Sequence, residues 1–231
     1  MAIVHQLNRL AIGTAQFGAS YGIANKAGQV STEEIRKLLA YAHRLGVDTL
    51  DTAIAYGNSE AHLGEIGVDD WKIVSKLPGI PNMASPSDLR EWLHSAVARS
   101  LERLKIDKLF GLLLHNPSDL LEKNGQVLYD CLVAAKEQGK VKKIGISVYS
   151  PQELEALFKR FPVDLVQLPL NILDQRFADS GWLTTLERGG VEIHSRSAFL
   201  QGLLLMPTHE RPPQFHKWTD FWIKWDKWLK E

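Results

Sequence analysis

The chain has 231 residues, with 27 Lys and Arg balancing 27 Asp and Glu and a pI near 7.1. This length is enough for the core of one large domain, so we expect a single domain over residues 1–231. The balanced charge excludes an overall field that would attract nucleic acid or an anionic membrane, and it favours a small neutral partner. The single Cys131 excludes an internal disulfide framework.

The sequence pattern shows no targeting or metal-binding signal. Residues 1–9 have no basic segment followed by a sustained apolar stretch, which argues against a secretory leader. No apolar run approaches membrane-spanning length. The eight histidines are scattered, and no two of them flank an acid at helical spacing. We therefore expect a cytoplasmic protein with no membrane partner and no metal site.

Apolar runs alternate with helical patterns along most of the chain. Seven runs predict buried strands, at residues 10–17, 47–53, 72–77, 108–114, 143–148, 165–168 and 191–195. Amphipathic spacing between them predicts helices at residues 31–46, 59–66, 85–104, 125–138 and 177–188, and a further helix that starts at residue 150. Ser31 with Glu34 has the spacing of a capping box, and Ser85 and Ser150 each precede a proline in the first helical turn.

This alternation predicts an α/β fold. Strands separated by helices imply right-handed crossovers and a parallel sheet, and near-continuous apolar strands imply burial on both faces. We therefore predict a TIM-type (β/α)8 barrel. A doubly wound open sheet is the alternative, but it should carry a glycine-rich phosphate fingerprint after the first strand, and the segment from Gly13 to Gly18 does not match one.

The end of the chain departs from a complete barrel. Only seven strands are predicted, and residues 207–231 form a Pro-rich stretch followed by a Trp-rich helical segment at residues 215–229. Its aromatic residues recur at helical spacing, which fits a seventh barrel helix covering the sheet, with a dimer contact as the alternative. A barrel lacking its eighth strand and helix would leave strands one and seven unpaired. We therefore expect either a homo-oligomer that covers the open edge or further sequence that completes the barrel.

Lone polar residues follow several predicted strands. Asp51 and Tyr56 come at the end of the second strand, Lys76 ends the third, and His115 follows the fourth. Because the carboxyl ends of barrel strands converge on one mouth, these side chains should share a site. Each alone could be a fold-stabilising ion pair or a buried histidine. With Ile12-Gly13-Thr14 and Gly145-Ile146-Ser147, the set resembles the aldo-keto reductase superfamily over residues 7–205.

The four polar residues suit the reduction of a carbonyl. Tyr56 is the predicted acid that protonates the carbonyl oxygen. A nearby cation should lower the pKa of a phenol, and Lys76 can supply that charge while Asp51 holds the ammonium in place. A neutral His115 can donate an N–H to the carbonyl oxygen.

The resemblance implies a nicotinamide cofactor, NADP(H). It assigns cofactor contacts to Gly13, Thr14 and Asp51 and carboxamide contacts to Ser147 and Gln167, although Val148 replaces the family's asparagine, and Ser147 as an ordinary turn serine remains open. A segment after the seventh strand resembles the one that stacks on the nicotinamide and cradles the pyrophosphate: Arg196, Ser197, Phe199, Leu200, Gln201 and Gly202. Arg196 stands where an aromatic residue is common, and Gln201-Gly202 could simply form a turn.

The sequence therefore predicts an NADPH-dependent reductase that converts an aldehyde or ketone to an alcohol. The family's residues that grip the 2′-phosphate of NADPH lie in the eighth strand and helix, so selectivity for NADPH over NADH should be weak. One alternative is a non-catalytic nucleotide-binding or regulatory protein that retains the barrel. Another is a barrel enzyme that uses Lys76 as a Schiff base, with pyridoxal phosphate as its cofactor.

Overall fold

The structure is a computed structural model that describes residues 9–81 and 85–231. The predicted lack of a leader at residues 1–9 lies almost wholly outside the described residues. Within them, no helix has both the length and the apolar character needed to cross a membrane.

Seven parallel strands form one curled sheet in the order of the chain. Their bounds are β1 Ala11–Gly13, β2 Thr49–Asp51, β3 Lys72–Leu77, β4 Leu109–Leu114, β5 Val141–Ser147, β6 Leu165–Pro169 and β7 Glu192–Arg196. β1 and β7 are the outer strands, and the described residues contain no eighth strand between them. The prediction of a TIM-type α/β barrel that lacks its eighth strand is confirmed.

Nine α-helices connect or follow these strands within the described ranges. They are α1 Ala15–Gly18, α2 Thr32–Arg44, α3 Ser59–Ile66, α4 Pro86–Leu104, α5 Gly125–Glu137, α6 Pro151–Phe158, α7 Arg176–Asp179, α8 Trp182–Arg188 and α9 Thr219–Trp228. The predicted start signals are observed. Ser31 and Ser85 each cap their helix in a complete capping box, and the Ser150 hydroxyl accepts a hydrogen bond from the Glu153 N–H.

The strand register brings the carboxyl ends of the strands together. Asp51 on β2 is paired with Gly13 on β1, and Ser147 on β5 is paired with Gln167 on β6. Side chains alternate between the two faces of each strand, so Lys76, Ser147 and Gln167 fall on the inner face of the curled sheet. The main hydrophobic core lies between the outer face of the sheet and the helices.

The first strand is shorter and more exposed than predicted. β1 ends at Gly13, and the rest of the predicted buried strand forms helix α1, in which only Phe17 is buried. Ala11 and Gly13 are exposed because β1 is an outer strand with a neighbour on one side only. The same cause leaves every residue of β7 at least partly exposed, contrary to the prediction of burial on both faces.

Two predicted helices are wrong in their extent or packing. The predicted helix at residues 177–188 is divided into α7 and α8 by Gly181, whose φ of 79° breaks the helical backbone. The Trp-rich segment begins as a 3-10 helix, Pro213–Trp218, before α9. α9 does not cover the sheet, because Trp222 and Trp225 pack in a second cluster with Leu203, Leu204 and Met206.

Candidate active site

An ion pair between two neighbouring strands is the centre of the site. Lys76 on β3 is only 1% exposed, and its Nζ donates to Asp51 Oδ1 at 2.7 Å and to the Thr52 carbonyl oxygen at 2.8 Å. Asp51 ends β2, so the two residues meet because their strands are hydrogen-bonded neighbours. A buried ammonium requires such a partner, because desolvation of an unpaired charge costs several kcal/mol.

Two further inner-face residues extend this pair across the barrel. Gln167 Nε2 donates to Asp51 Oδ1 at 2.8 Å, and Ser147 Oγ donates to Gln167 Oε1 at 3.2 Å. Ser147 and Gln167 are both buried. The result is one hydrogen-bonded chain of side chains from β3, β2, β6 and β5. The sequence placed Ser147 and Gln167 in the site but gave no indication that Gln167 contacts Asp51.

The structure also brings Tyr56 and His115 to this mouth. Their rings meet edge to face with centroids 5.9 Å apart, and Lys76 Nζ lies 5.1 Å from the centroid of the Tyr56 ring. The backbone N–H of His115 donates to the Leu77 carbonyl at the end of β3. All four predicted polar residues therefore lie within one cluster, while their catalytic roles stay predictions.

The protonation of the cluster differs from the expectation. Burial, followed by the charge of Asp51, raises the pKa of Tyr56 above its usual value rather than lowering it. Lys76 lies over the ring of Tyr56 and donates its hydrogen bonds to Asp51 and Thr52. Because Asp51 compensates most of the charge of Lys76, that charge does little to lower the pKa of the Tyr56 phenol. Burial, and then the positive charge of Lys76, lowers the pKa of His115, which favours the neutral imidazole.

Two glycines fix the turn that carries Tyr56. Gly57 has a φ of 53°, and a Cβ added at Gly18 would overlap the carbonyl oxygen of Tyr56 and lie 2.7 Å from the Ser59 N–H nitrogen. α1 can approach this turn only because position 18 has no side chain. The close approach at Gly18 is therefore made to the turn that carries Tyr56.

Gly13 and Thr14 lie at the same end of the sheet. The side chain of Thr14 is fully buried, and its hydroxyl donates to the Asp51 carbonyl oxygen at 3.1 Å and accepts from Ser59 Oγ at 2.8 Å. Thr14 therefore ties β1 to β2 and leaves its side chain no room for a ligand. A Cβ at Gly13 would meet no atom within 4 Å, so the backbone faces open space there.

The segment after β7 has an unusual backbone. Ser197, Leu200, Gln201 and Gly202 have φ values of 61°, 48°, 57° and 88°. The N–H groups of Leu200 and Gly202 donate within the loop, to Ser197 and Phe199, so they are not free to hold phosphate oxygens as expected. In the described part of the chain, the N–H groups of Phe199 and Gln201 contact no acceptor. Left-handed residues with free N–H groups form concave anion-binding sites.

Arg196 is stacked on a neighbour from the next loop. Its guanidinium carbon lies 4.1 Å from the centroid of the Tyr149 ring, and Nη2 donates to the Val148 carbonyl oxygen at 3.1 Å. The sequence predicted that Arg196 would stack on a flat ligand ring. The structure gives one face of its guanidinium to Tyr149, a residue that the sequence did not single out.

A buried carboxylate behind the site was also missed. Glu60 on α3 is 2% exposed and accepts hydrogen bonds from Ser75, Ser100 and Arg103, at distances of 2.5–2.9 Å. Ser75 directly precedes Lys76 and points to the other side of β3, so this cluster fixes β3 from the outer face of the sheet. The capping and apolar patterns of α3 and α4 give no sign of it, because its members are far apart in sequence.

The environment of Lys76 argues against Schiff-base chemistry. Lys76 is buried and ion-paired, whereas a Schiff-base lysine must present a free amine to its substrate. Among the residues that the structure describes, no three His, Cys, Asp or Glu side chains group as a metal site would require.

A family model described as the aldo/keto reductase family matches residues 9–229. The chain belongs to this family. Its curated relatives include L-glyceraldehyde 3-phosphate reductase of Escherichia coli K12, with 26% identity over 204 residues, covering 80% of this chain and 58% of the relative. Aldo-keto reductase str7 of Strobilurus tenacellus has 26% identity over 213 residues, covering 88% of this chain and 60% of the relative.

Solved aldo-keto reductases share the fold. An aldo/keto reductase from Brucella melitensis has a TM-score of 0.60 and 25% identity, covering 90% of this chain and 75% of that one. The holo form of aldo-keto reductase AKR11C1 from Bacillus halodurans has a TM-score of 0.67 and 22% identity, covering 85% of this chain and 64% of that one. The chain spans less than two thirds of the length of the two curated relatives named above.

Proposed function

We propose that this aldo/keto reductase-family chain reduces an aldehyde or ketone to an alcohol by hydride transfer from NADPH, with Tyr56 as the general acid. The observation that carries the proposal is the buried Lys76–Asp51 pair beside Tyr56 and His115 at one barrel mouth. A purely structural ion pair would not require a phenol and an imidazole at the same opening.

The residues at the mouth fit a nicotinamide nucleotide. The free N–H groups of Phe199 and Gln201 lie in a left-handed loop, which suits the pyrophosphate. Ser147 carries a hydroxyl and Gln167 an amide on the inner face, and both groups suit hydrogen bonds to the carboxamide of the nicotinamide. Gly13, which is paired with Asp51, leaves open space at the same end of the sheet. When bound, the nicotinamide supplies the hydride that no side chain can provide.

The protonation states at the mouth suit carbonyl reduction. Tyr56 is protonated at neutral pH, as any phenol with an ordinary or raised pKa is, so it has a proton to deliver to the carbonyl oxygen. The lowered pKa of His115 keeps the imidazole neutral, so it donates an N–H without holding a fixed positive charge. Lys76 and Asp51 hold a polarised pair next to the ring of Tyr56, where negative charge develops as the proton leaves.

Cofactor titration followed by turnover tests the proposal. Purified protein is titrated separately with NADPH and NADH while tryptophan fluorescence is recorded, because the mouth adjoins the Trp-rich cluster through Leu200. We expect saturable binding of both, with weak selectivity between them. Consumption of NADPH is then measured with small aldehydes. One of them is glyceraldehyde 3-phosphate, because the Escherichia coli relative is an L-glyceraldehyde 3-phosphate reductase by name. Absence of both binding and turnover would overturn the proposal.

A further inference from the structure

The cations at the mouth differ in whether their charge is already compensated. Lys76 is buried and donates to Asp51 and Thr52, which leaves it no exposed charge for a ligand. His115 is held neutral by burial and by Lys76, through a lowered pKa. These two groups therefore cannot bind an anion by charge at neutral pH.

Arg196 is the exception. Its two hydrogen-bond acceptors are neutral: the Val148 carbonyl oxygen at 3.1 Å and Ser197 Oγ at 3.4 Å. Over residues 9–81 and 85–231, no ion pair includes Arg196, and the nearby carboxylates are taken by others. Asp51 pairs with Lys76, and Asp174 pairs with Arg176. The guanidinium is thus a positive charge with no carboxylate partner.

The orientation of this guanidinium is fixed. Stacking on Tyr149 holds its plane, and the bond to Val148 holds one edge. A guanidinium has five N–H donors in a rigid fork, so the two observed bonds leave three for a ligand. A fork with remaining donors matches the paired oxygens of a carboxylate or phosphate.

Arg196 lies close to the groups that would act on the carbonyl. It ends β7 on the inner face, two residues beyond His194, which is paired with Gln167. Its positive charge opposes the rise in the pKa of Tyr56, and it adds to the lowering of the pKa values of His115 and Lys76 that burial causes. The guanidinium therefore acts on the Tyr56–His115 mouth itself.

We propose that Arg196 binds an anionic group on the substrate, so that the preferred substrate is a carbonyl compound carrying a carboxylate or a phosphate. This rests on the proposed reductase function and names its substrate class. It also replaces the expectation of a neutral substrate, because a net charge of zero over the chain does not describe the charge at the mouth.

Two matched substrate pairs test the proposal. Succinic semialdehyde is compared with butanal, and glyceraldehyde 3-phosphate with glyceraldehyde, at saturating NADPH. The readout is the ratio of kcat/KM for the anionic substrate to that for the neutral one. We expect Arg196→Gln to lower this ratio by about 10- to 100-fold, since hydrogen bonds to charged groups contribute about 1.5–3 kcal/mol. Arg196→Lys should recover part of it, because the charge is kept and the fork is lost.

The control variant is Arg188→Gln. Arg188 is the last residue of α8, before β7 begins, and its replacement changes the net charge equally. We expect its substrate ratio to match that of the wild type. Far-ultraviolet circular dichroism checks that each variant is folded. The two anionic substrates separate a carboxylate preference from a phosphate preference, and a drop for either one supports the proposal.

Other outcomes separate this proposal from the proposed function. If Arg196→Gln slows anionic and neutral substrates equally and weakens NADPH binding, Arg196 serves the cofactor and the proposal is overturned. If the wild type reduces none of the four compounds, the reductase function fails. In that case, calorimetric measurement of the binding of succinic semialdehyde and butanal shows whether Arg196 binds the anionic group. Loss of anion binding alone in Arg196→Gln supports the anion site, and unchanged binding rejects it.

Discussion

At the scale of single residues, Asp51 holds the site together. Its Oδ1 accepts from Lys76 and from Gln167, so one carboxylate oxygen orients side chains from two other strands. Burial lowers the pKa of Lys76, and Asp51 opposes that shift. Without Asp51, the ammonium would have no carboxylate partner and almost no contact with water.

We predict that Asp51→Asn destabilises the fold by about 3–5 kcal/mol at pH 7, because it leaves a buried charge unpaired. Lys76 then has a folded pKa well below its unfolded value of about 10.4, so the folded state binds fewer protons than the unfolded state. The free energy of unfolding should therefore rise as the pH increases toward about 10. Urea unfolding at several pH values measures both effects.

Asp48→Asn is the matched control for this variant. Asp48 also pairs with a β3 lysine, Lys72, but at the opposite end of the strands and with side chains 33% and 49% exposed. Its loss should cost no more than about 1 kcal/mol. Equal losses in the two variants, or no recovery of Asp51→Asn at high pH, would exclude the unpaired charge of Lys76 as the cause.

The sequence was informative about residues at strand ends and uninformative about their partners. Asp51, Tyr56, Lys76 and His115 could be placed together because parallel strands share a carboxyl edge. The Gln167–Asp51 bond and the Arg196–Tyr149 stack could not be predicted, since each depends on strand register and rotamers between distant segments. The predicted direction of the pKa shift of Tyr56 was wrong, because the sequence does not show that the phenol is buried.

At the scale of elements, α1 positions the Tyr56 turn through a glycine contact. We predict that Gly18→Ala forces the turn to move, since the added methyl would overlap the Tyr56 carbonyl oxygen. Overpacking costs about 1–3 kcal/mol, and a shift of about 1 Å in a reacting group lowers the rate about 100-fold. Urea unfolding and NADPH consumption measure the two losses. Gly189→Ala is the control, because Gly189 has a φ of −77° and its nearest neighbours lie at 3.4 Å.

α3 stabilises β3 from the outer face of the sheet through Glu60. We predict that Glu60→Gln lowers the free energy of unfolding by about 2–4 kcal/mol, because it removes the partner of Arg103 and weakens the bonds to Ser75 and Ser100. Glu33→Gln is the control, since its pair with Lys37 is exposed and should contribute less than about 0.5 kcal/mol. Similar urea midpoints for the two variants would contradict this role for Glu60.

Helix starts were predictable and helix continuity was not. Ser31, Ser85 and Ser150 act through neighbours three residues away, so their caps can be read locally. The break at Gly181 depends on a left-handed backbone that the apolar spacing on either side conceals. The end of the first predicted strand forms α1 instead. Phe17 is buried there by contacts with distant residues, which the sequence of its own segment does not specify.

At the scale of the whole molecule, the sheet has two open edges and two hydrophobic clusters. β1 and β7 are outer strands, and several large apolar side chains near the second cluster are exposed: Phe199, Leu205, Trp218, Ile223, Trp228 and Leu229. Unpaired strand edges and apolar patches of this kind favour association. The fold class could be predicted because the strand and helix periods alternate, whereas the separate packing of α9 could not.

We predict that the 231-residue chain self-associates through these exposed features. Sedimentation velocity over a range of protein concentrations should give a sedimentation coefficient that increases with concentration. The cause is the apolar and hydrogen-bonding surface that a second copy would remove from water. A well-folded chain that sediments as a monomer at every concentration would contradict this prediction.

Tyr56 is the proposed proton donor at this site. The most direct test compares the wild type with Tyr56→Phe at saturating NADPH and one aldehyde, and measures NADPH affinity separately by tryptophan fluorescence. Removing a positioned general acid should lower kcat by about 100- to 10,000-fold while NADPH binding is retained, because the ring and its contact with His115 remain. Equal kcat values for the two proteins would exclude Tyr56 as the general acid.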